Sequence, residues 1–247
     1  MLSEIKNYTG TIIIAATILI GTLLLANAYK YKFKSAETIV VTGLAEQDFT
    51  SDQIVWKGTF NRYGFDLKEA YANIKADEAV IVSYLKNKGL PDSSIVFSSI
   101  DIQKNFQNEY EEITRTSKSV FSGYTLTAEV KIDSKNIALV EKISREVTEL
   151  LQKGIEFNSQ KPAYYYSKLN ELKIVLLAKA ASDGKVRAET IAKNSGTSLG
   201  DLKRANMGVF QITGKNDNEN YSYGGSFNTS SKEKTASITL KVEYQAK

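Results

Sequence analysis

The sequence predicts an α+β domain with mainly antiparallel sheet, preceded by one N-terminal transmembrane helix. Three observations predict it. Residues 9–28 carry no charge. Short runs of alternating apolar and polar residues recur along the rest of the chain. Between those runs lie stripes of apolar residues at helical spacing, several of them ending at glycine.

The apolar N-terminal stretch comes first. Ile12, Ile13, Ile14, Ile18, Leu19 and Ile20 precede Gly21, and Leu23, Leu24 and Leu25 follow it. About 20 such residues in a helix cross the hydrocarbon core of a bilayer. The segment has no polar face, which argues against a buried core helix. The division expected is a short tail at 1–8, a transmembrane helix or signal anchor at 9–28, a basic linker at 29–36 and the α+β domain at 37–247. Ala26-Asn27-Ala28 has the small-x-small spacing of a signal-peptidase site. A weakly basic front, with Lys6 offset by Glu4, argues for an uncleaved anchor. Lys30, Lys32 and Lys34 follow the apolar stretch and, by the positive-inside rule, argue against export of the domain.

Thr38–Thr42 reads as a first strand, and Gly43-Leu44-Ala45 as part of a tight turn before the second. In that second strand Ile54, Trp56 and Phe60 share one face. Asp66 and Glu69 form a capping box for a helix with the stripe Leu67, Tyr71, Ile74, Ile81 and Leu85, stopped at Gly89 and Pro91. A strand is expected across Val96–Gln103 and a polar loop across Asn105–Ser119. Tyr124, Leu126, Ala128, Val130 and Ile132 alternate with polar partners, giving a strand with one solvated side. Val140, Ile143, Val147, Leu150 and Leu151 stripe a second helix. Ile155–Tyr166 reads as an edge strand because it contains Pro162.

A long helix is expected over about Lys168–Asn194, with alanines packed on a sheet and a kink at Gly184. Strand Leu202–Ile212, a flexible loop over Gly214–Lys234 and the alternating strand Ala236–Tyr244 complete the chain. The order helix, glycine, strand, polar loop, alternating strand occurs twice. It predicts two related α-β-β units sharing sheet edges in one domain.

The chemistry is bounded by what is missing. The chain has no cysteine and no histidine. Disulfides, thiolate nucleophiles, cysteine-held metals and the usual neutral-pH proton shuttle are therefore excluded. Residues 1–35 hold four lysines and one acid, which leaves 28 basic and 27 acidic residues in 36–247. A nearly neutral domain offers no basic stripe for nucleic acid. Glu109, Glu111 and Glu112 lack regular calcium-loop spacing and read as a solvated acidic loop. No catalytic, cofactor or metal residue is assigned. Tyr164, Tyr165 and Tyr166, with Tyr221 and Tyr223, are the candidate subunit-interface residues, because tyrosine is enriched at interfaces.

Several stretches resemble the SIMPL-domain family, which includes the YggE-like periplasmic proteins of bacteria. They are Val41-Thr42-Gly43-Leu44-Ala45-Glu46, Ser51-Asp52, Ile100-Asp101-Ile102-Gln103, Ser122-Gly123-Tyr124, and Ala180–Leu199 followed by Gly200. Ala45 stands where the family has a second glycine, and Ser51 where it has proline. The resemblance covers roughly residues 37–246. It implies an exported α+β domain that forms higher oligomers, including ring-like ones, and carries no established reaction. The expected protein is a non-catalytic, membrane-anchored envelope protein with no cofactor. It self-assembles and binds the bilayer through its N-terminal helix. Its expected site is the bacterial inner membrane, single-pass, with the domain on the periplasmic side and a role in the envelope or in stress. A soluble exported ligand-binding protein after cleavage, an enzyme with an unrecognised Ser/Lys/carboxylate site and a cytoplasm-facing adaptor are the alternatives.

Overall fold

The uncharged stretch is helical, and the helix continues past both of its expected ends. In the computed structural model, which describes residues 2–34, 37–111, 115–217 and 222–247, helix α1 spans Leu2–Lys34. The expected tail and most of the basic linker thus belong to one helix. Thr17 donates its hydroxyl to the Ile13 carbonyl at 2.8 Å, so this polar group is satisfied inside the helix.

The domain consists of two antiparallel sheets, each with its own helices and its own core. Strands β1 (Thr38–Thr50) and β2 (Gln53–Gly64) are separated only by Ser51 and Asp52, yet they pair in different sheets. In the first sheet β2 pairs with β5 (Thr116–Ser134). The far side of β5 carries β3 (Ile95–Phe97) and β4 (Asp101–Glu111). The far side of β2 carries β6 (Phe157–Ser159) and β7 (Ala163–Tyr165). Helices α2 (Leu67–Asn87) and α3 (Ile137–Glu146) cover one face. In the second sheet β10 (Glu233–Ala246) is central, with β1 on one side and β8 (Leu199–Met207) and β9 (Gln211–Gly214) on the other. Helix α4 (Leu169–Asn194) covers it.

The repeated order of elements has a spatial counterpart. In each layer the long alternating strand, β5 or β10, is central. A strand path broken in two flanks it on one side, and β2 or β1 flanks it on the other. The expectation of shared sheet edges is corrected: each unit builds a separate sheet, and the chain steps between them at Ser51-Asp52.

The first core is formed by Ile54, Trp56 and Phe60 of β2, Leu126, Val130 and Ile132 of β5, and the inward stripes of α2 and α3. Each such large side chain contributes roughly 1.5–3 kcal/mol by leaving water. The buried indole of Trp56 donates to Ser159 Oγ at 3.0 Å. The N-cap half of the capping box is realised: Asp66 accepts from the Glu69 N–H at 2.8 Å. Helix α2 ends where Gly89 takes a φ of 99°, a left-handed value that favours glycine. Within this helix the buried stripe is Ala70, Ile74, Asp77, Ile81, Tyr84 and Leu85. Leu67 and Tyr71, assigned to that stripe from spacing, are exposed and line a cleft with Phe65 and Tyr124, because Ala70 is the residue of the first turn that faces the core. Leu151 is also exposed, since the helix tightens to a 3-10 form over Val147–Lys153 and the period changes. Asp77 is buried against Arg62, whose Nε and Nη2 both donate to it, Nη2 at 2.7 Å. The bidentate pair raises the Arg62 pKa, with the hydrogen bond outweighing burial.

In the second core, α4 lies against β1 and β10 through Leu172, Leu176, Ala180, Gly184, Ala188 and Ala192, a row spaced by fours. The small residues let helix and strand approach closely. A Cβ on Gly43 would lie 2.1 Å from the Ala180 carbonyl oxygen and 2.6 Å from the Gly184 nitrogen. Gly43-Leu44-Ala45 is therefore mid-strand and not a turn, and β1 is thirteen residues long where five were expected. Gly184 is likewise a packing residue, inside the single helix α4, close to Gly43 and Val242. The expected strand Val96–Gln103 is two strands, β3 and β4. Ile155–Tyr166 also splits in two, with Pro162 in the gap between β6 and β7. Leu202–Ile212 divides between β8 and β9.

Candidate functional site

Three surfaces and one internal joint hold the residues the sequence singled out, together with others it did not. The joint is where the two layers meet. Ser51 N–H donates to the Lys232 carbonyl at 2.9 Å and Asp52 N–H to the Tyr165 carbonyl at 3.0 Å. The Asp52 carboxylate accepts from Ser167 twice, from N–H at 2.7 Å and from Oγ at 2.5 Å. Burial opposes ionisation of Asp52, but these donors outweigh it and its pKa is lowered. Tyr164 N–H donates to the Thr229 carbonyl at 2.7 Å. The Tyr164 carbonyl in turn accepts from Nζ of Lys234 at 2.6 Å. Lys234 is 1% exposed.

The tyrosine run belongs to this joint. Tyr164 packs on the first core and donates its hydroxyl to Glu141 at 3.0 Å. Burial first, then Glu141, raises its pKa. Tyr166 packs on the second core, with its ring 4.9 Å from that of Phe49. Tyr165 pairs with Gln53 of β2. All three are half-buried, and the contacts described for them tie one layer to the other.

Tyr223 lies on a different surface and is fully exposed. It lines a cavity of about 390 Å³ on the face of the second sheet opposite α4, beside Leu44, Val209, Gln211 and Ile238. Tyr221 lies outside the described residues.

The third region was not anticipated from the sequence. The stretch Asn105–Ser119, expected to be a polar loop, pairs as β4 with β5 for almost its whole length. The resulting hairpin carries Phe106, Phe121 and Tyr124 in edge-to-face contact, at 5.9 and 5.1 Å between successive ring centroids. Beside it, Phe65, Leu67 and Tyr71 line a cleft that also takes in Ile102 and Tyr124. Polar residues between the aromatics concealed the strand period. The signal that could have found it was the even spacing of Ile102, Phe106 and Tyr110. Glu109 and Glu111 lie on β4 opposite Lys118 and Thr116, and Glu112 lies outside the described residues. Among the described residues no group of three or more histidines, cysteines, aspartates or glutamates is placed to hold a metal ion.

The fourth feature is α1. Its nine large aliphatic side chains, from Ile12 to Leu25, are each 57–72% exposed, and no part of the span Gly10–Lys30 is covered by the domain. Length and composition suit a membrane anchor or a signal sequence equally.

Fold and surfaces define the class: an α+β domain of two antiparallel layers behind an apolar N-terminal helix. A family model, SIMPL, described as a protein of unknown function (DUF541), matches residues 39–246. The chain belongs to the SIMPL (DUF541) family. A search of curated proteins returns no match to it.

Proposed function

We propose that this protein is a non-catalytic, membrane-tethered component of the bacterial envelope that self-assembles and acts by binding or scaffolding. The observation that carries the reading is α1. Nine large apolar side chains stand uncovered over a 21-residue span, which water would penalise and a bilayer would reward. The lack of cysteine and histidine in the whole sequence, which removes the commonest nucleophile and proton shuttle, favours a role other than catalysis. The domain lies on the extracytoplasmic side, as the family resemblance implies, although Lys30, Lys32 and Lys34 favour the opposite orientation. A second reading has its own observation: Ala26-Asn27-Ala28 would allow cleavage and release of a soluble ligand-binding protein.

Native mass spectrometry of the full chain, extracted from membranes in mild detergent, tests both. A full-length subunit in a defined assembly supports the tethered scaffold. A monomer beginning at Tyr29 sinks it and supports the released protein. Protease accessibility in spheroplasts decides the side, since only an extracytoplasmic domain is digested in intact cells.

A further inference from the structure

The second sheet ends on two strands that are paired on one side only. Both β1 and β8 are antiparallel to β10, so they run parallel to each other at opposite edges. Alternation decides which backbone groups face outward. Leu44 N–H turns away from β10 and donates to Asp183 of α4 at 2.8 Å. The N–H and C=O of Val40 and Thr42 therefore point outward as well. On the other edge, Gly208 N–H donates to the Thr239 carbonyl of β10, so Ala205 and Met207 direct theirs outward.

The two edges are also complementary in shape. Helix α4 covers β1 and β10 but leaves Leu202 and Met207, on the same face of β8, 53% and 59% exposed. At the opposite edge a cleft opens between β1 and the flank of α4, lined by Val41, Thr42, Val186, Arg187, Thr190 and Ile191. The β1 edge carries no charge from Thr38 to Ala45, so it has none of the charged side chains that block addition of a strand.

We infer that β8 of one copy docks beside β1 of the next, extending the second sheet as a parallel pair with Ala205 beside Val41. This rests on the self-assembly proposed above and assigns the surface that performs it. Ala205 and Val41 both lie opposite Val242 in their own chain, so this register keeps the copies level. Ala205 N–H donates to the Val40 carbonyl of the next copy, and Thr42 N–H of that copy donates to the Ala205 carbonyl. Leu202 and Met207 enter the cleft beneath the flank of α4. Asp183, already bonded to Leu44 N–H, ends the ladder one step beyond Thr42. The contact joins unlike edges, so repeating it closes a ring or runs as an open chain.

The absence of cysteine makes the test clean. In this register Thr42 and Asn206 are neighbours on the exposed face, within the Cα spacing a disulfide bridges. The full-length double variant Thr42→Cys/Asn206→Cys, oxidised mildly in detergent, is expected to give a ladder of covalent multimers. Either single variant is expected to remain monomeric on a denaturing gel. A double variant that gives no ladder, while native mass spectrometry still shows an assembly, overturns the β8–β1 contact and leaves self-assembly standing. A single variant that cross-links to itself also overturns it, because it shows like meeting like. A strictly monomeric native protein removes the contact and the self-assembly reading together. Met207→Glu supplies an independent check, because Met207 is exposed in the free chain and its replacement leaves folding alone. It is expected to shift the assembly to monomer with an unchanged far-UV circular dichroism spectrum. An undiminished assembly in that variant refutes the register.

Discussion

Replacing Gly43 by alanine tests whether α4 and β1 are in backbone contact. The added methyl would lie 2.1 Å from the Ala180 oxygen, 2.6 Å from the Gly184 nitrogen and 2.9 Å from the Gly184 Cα. Ordinary contact needs about 3.5 Å, so the shortfall at the closest atom exceeds 1 Å. All three atoms are backbone and no rotamer change relieves them. The helix would have to lift as a unit, loosening the packing of Leu176, Ala180 and Ala188. Overpacking of this kind costs up to about 3 kcal/mol. Alanine regains about 0.5 kcal/mol over glycine in the unfolded chain, which leaves a net loss of about 2.5 kcal/mol. For a domain of this size the loss corresponds to a melting temperature lower by about 5–10 °C. The assay is urea unfolding of the full chain in mild detergent, followed by far-UV circular dichroism and by fluorescence. The single tryptophan, Trp56, lies in the first core and reports that layer alone. The dichroism midpoint should fall while the fluorescence midpoint moves less. A loss under about 0.5 kcal/mol would show that helix and strand are not in contact at this point.

Other perturbations probe separate groups. Arg62→Met leaves the buried Asp77 carboxylate without its bidentate partner and should cost roughly 3 kcal/mol in urea unfolding, with Arg62→Met/Asp77→Leu recovering part of it. The lowered pKa of Asp52 predicts a pH effect whose sign is fixed. The stabilisation by Ser167 is present above the unfolded-state value near 4 and is lost as pH falls through the lower folded value. The urea midpoints of wild type and Asp52→Asn should therefore differ at pH 6 and converge towards pH 2.5; parallel curves would dissociate Asp52 from the acid response. The Ser51 hydroxyl is buried with no hydrogen-bond partner among the described residues, so Ser51→Ala should stabilise by up to about 1 kcal/mol, and a loss of that size would mean the hydroxyl is bonded in solution. Tyr223→Ala removes a fully exposed ring and should leave the midpoint within about 0.5 kcal/mol.

What was legible in the sequence depended on whether a single period governed the segment. The alternation Leu126, Ala128, Val130, Ile132 and its counterpart Ala236, Ile238, Leu240, Val242 are read correctly because both strands are central, with one face on a core. The N-cap at Asp66 is legible because it is a local hydrogen bond. The length of β1 is not, because Gly43 marks a close approach of α4, some 140 residues away in sequence, and nothing local distinguishes that from a turn. The β4–β5 hairpin is missed for a related reason. Its outer half is exposed on both faces, so selection for burial leaves no clean alternation there. The tyrosine run stands out as composition, but its place between two cores is a tertiary fact that no spacing encodes.

Helix α1 ends at Lys34 and β1 begins at Thr38, so three residues connect them. A connection of three residues spans at most about 10 Å, so the start of β1 stays close to the end of α1. If α1 is embedded, every copy presents the same end of its second sheet to the lipid. That restricts the permitted symmetry. Cyclic assemblies about an axis normal to the membrane remain available, whereas dihedral ones, which need copies pointing in opposite directions, do not form within one membrane. Confinement to a plane also raises the local concentration of neighbours, so a contact between two strand edges too weak to persist in free solution can be populated at the surface.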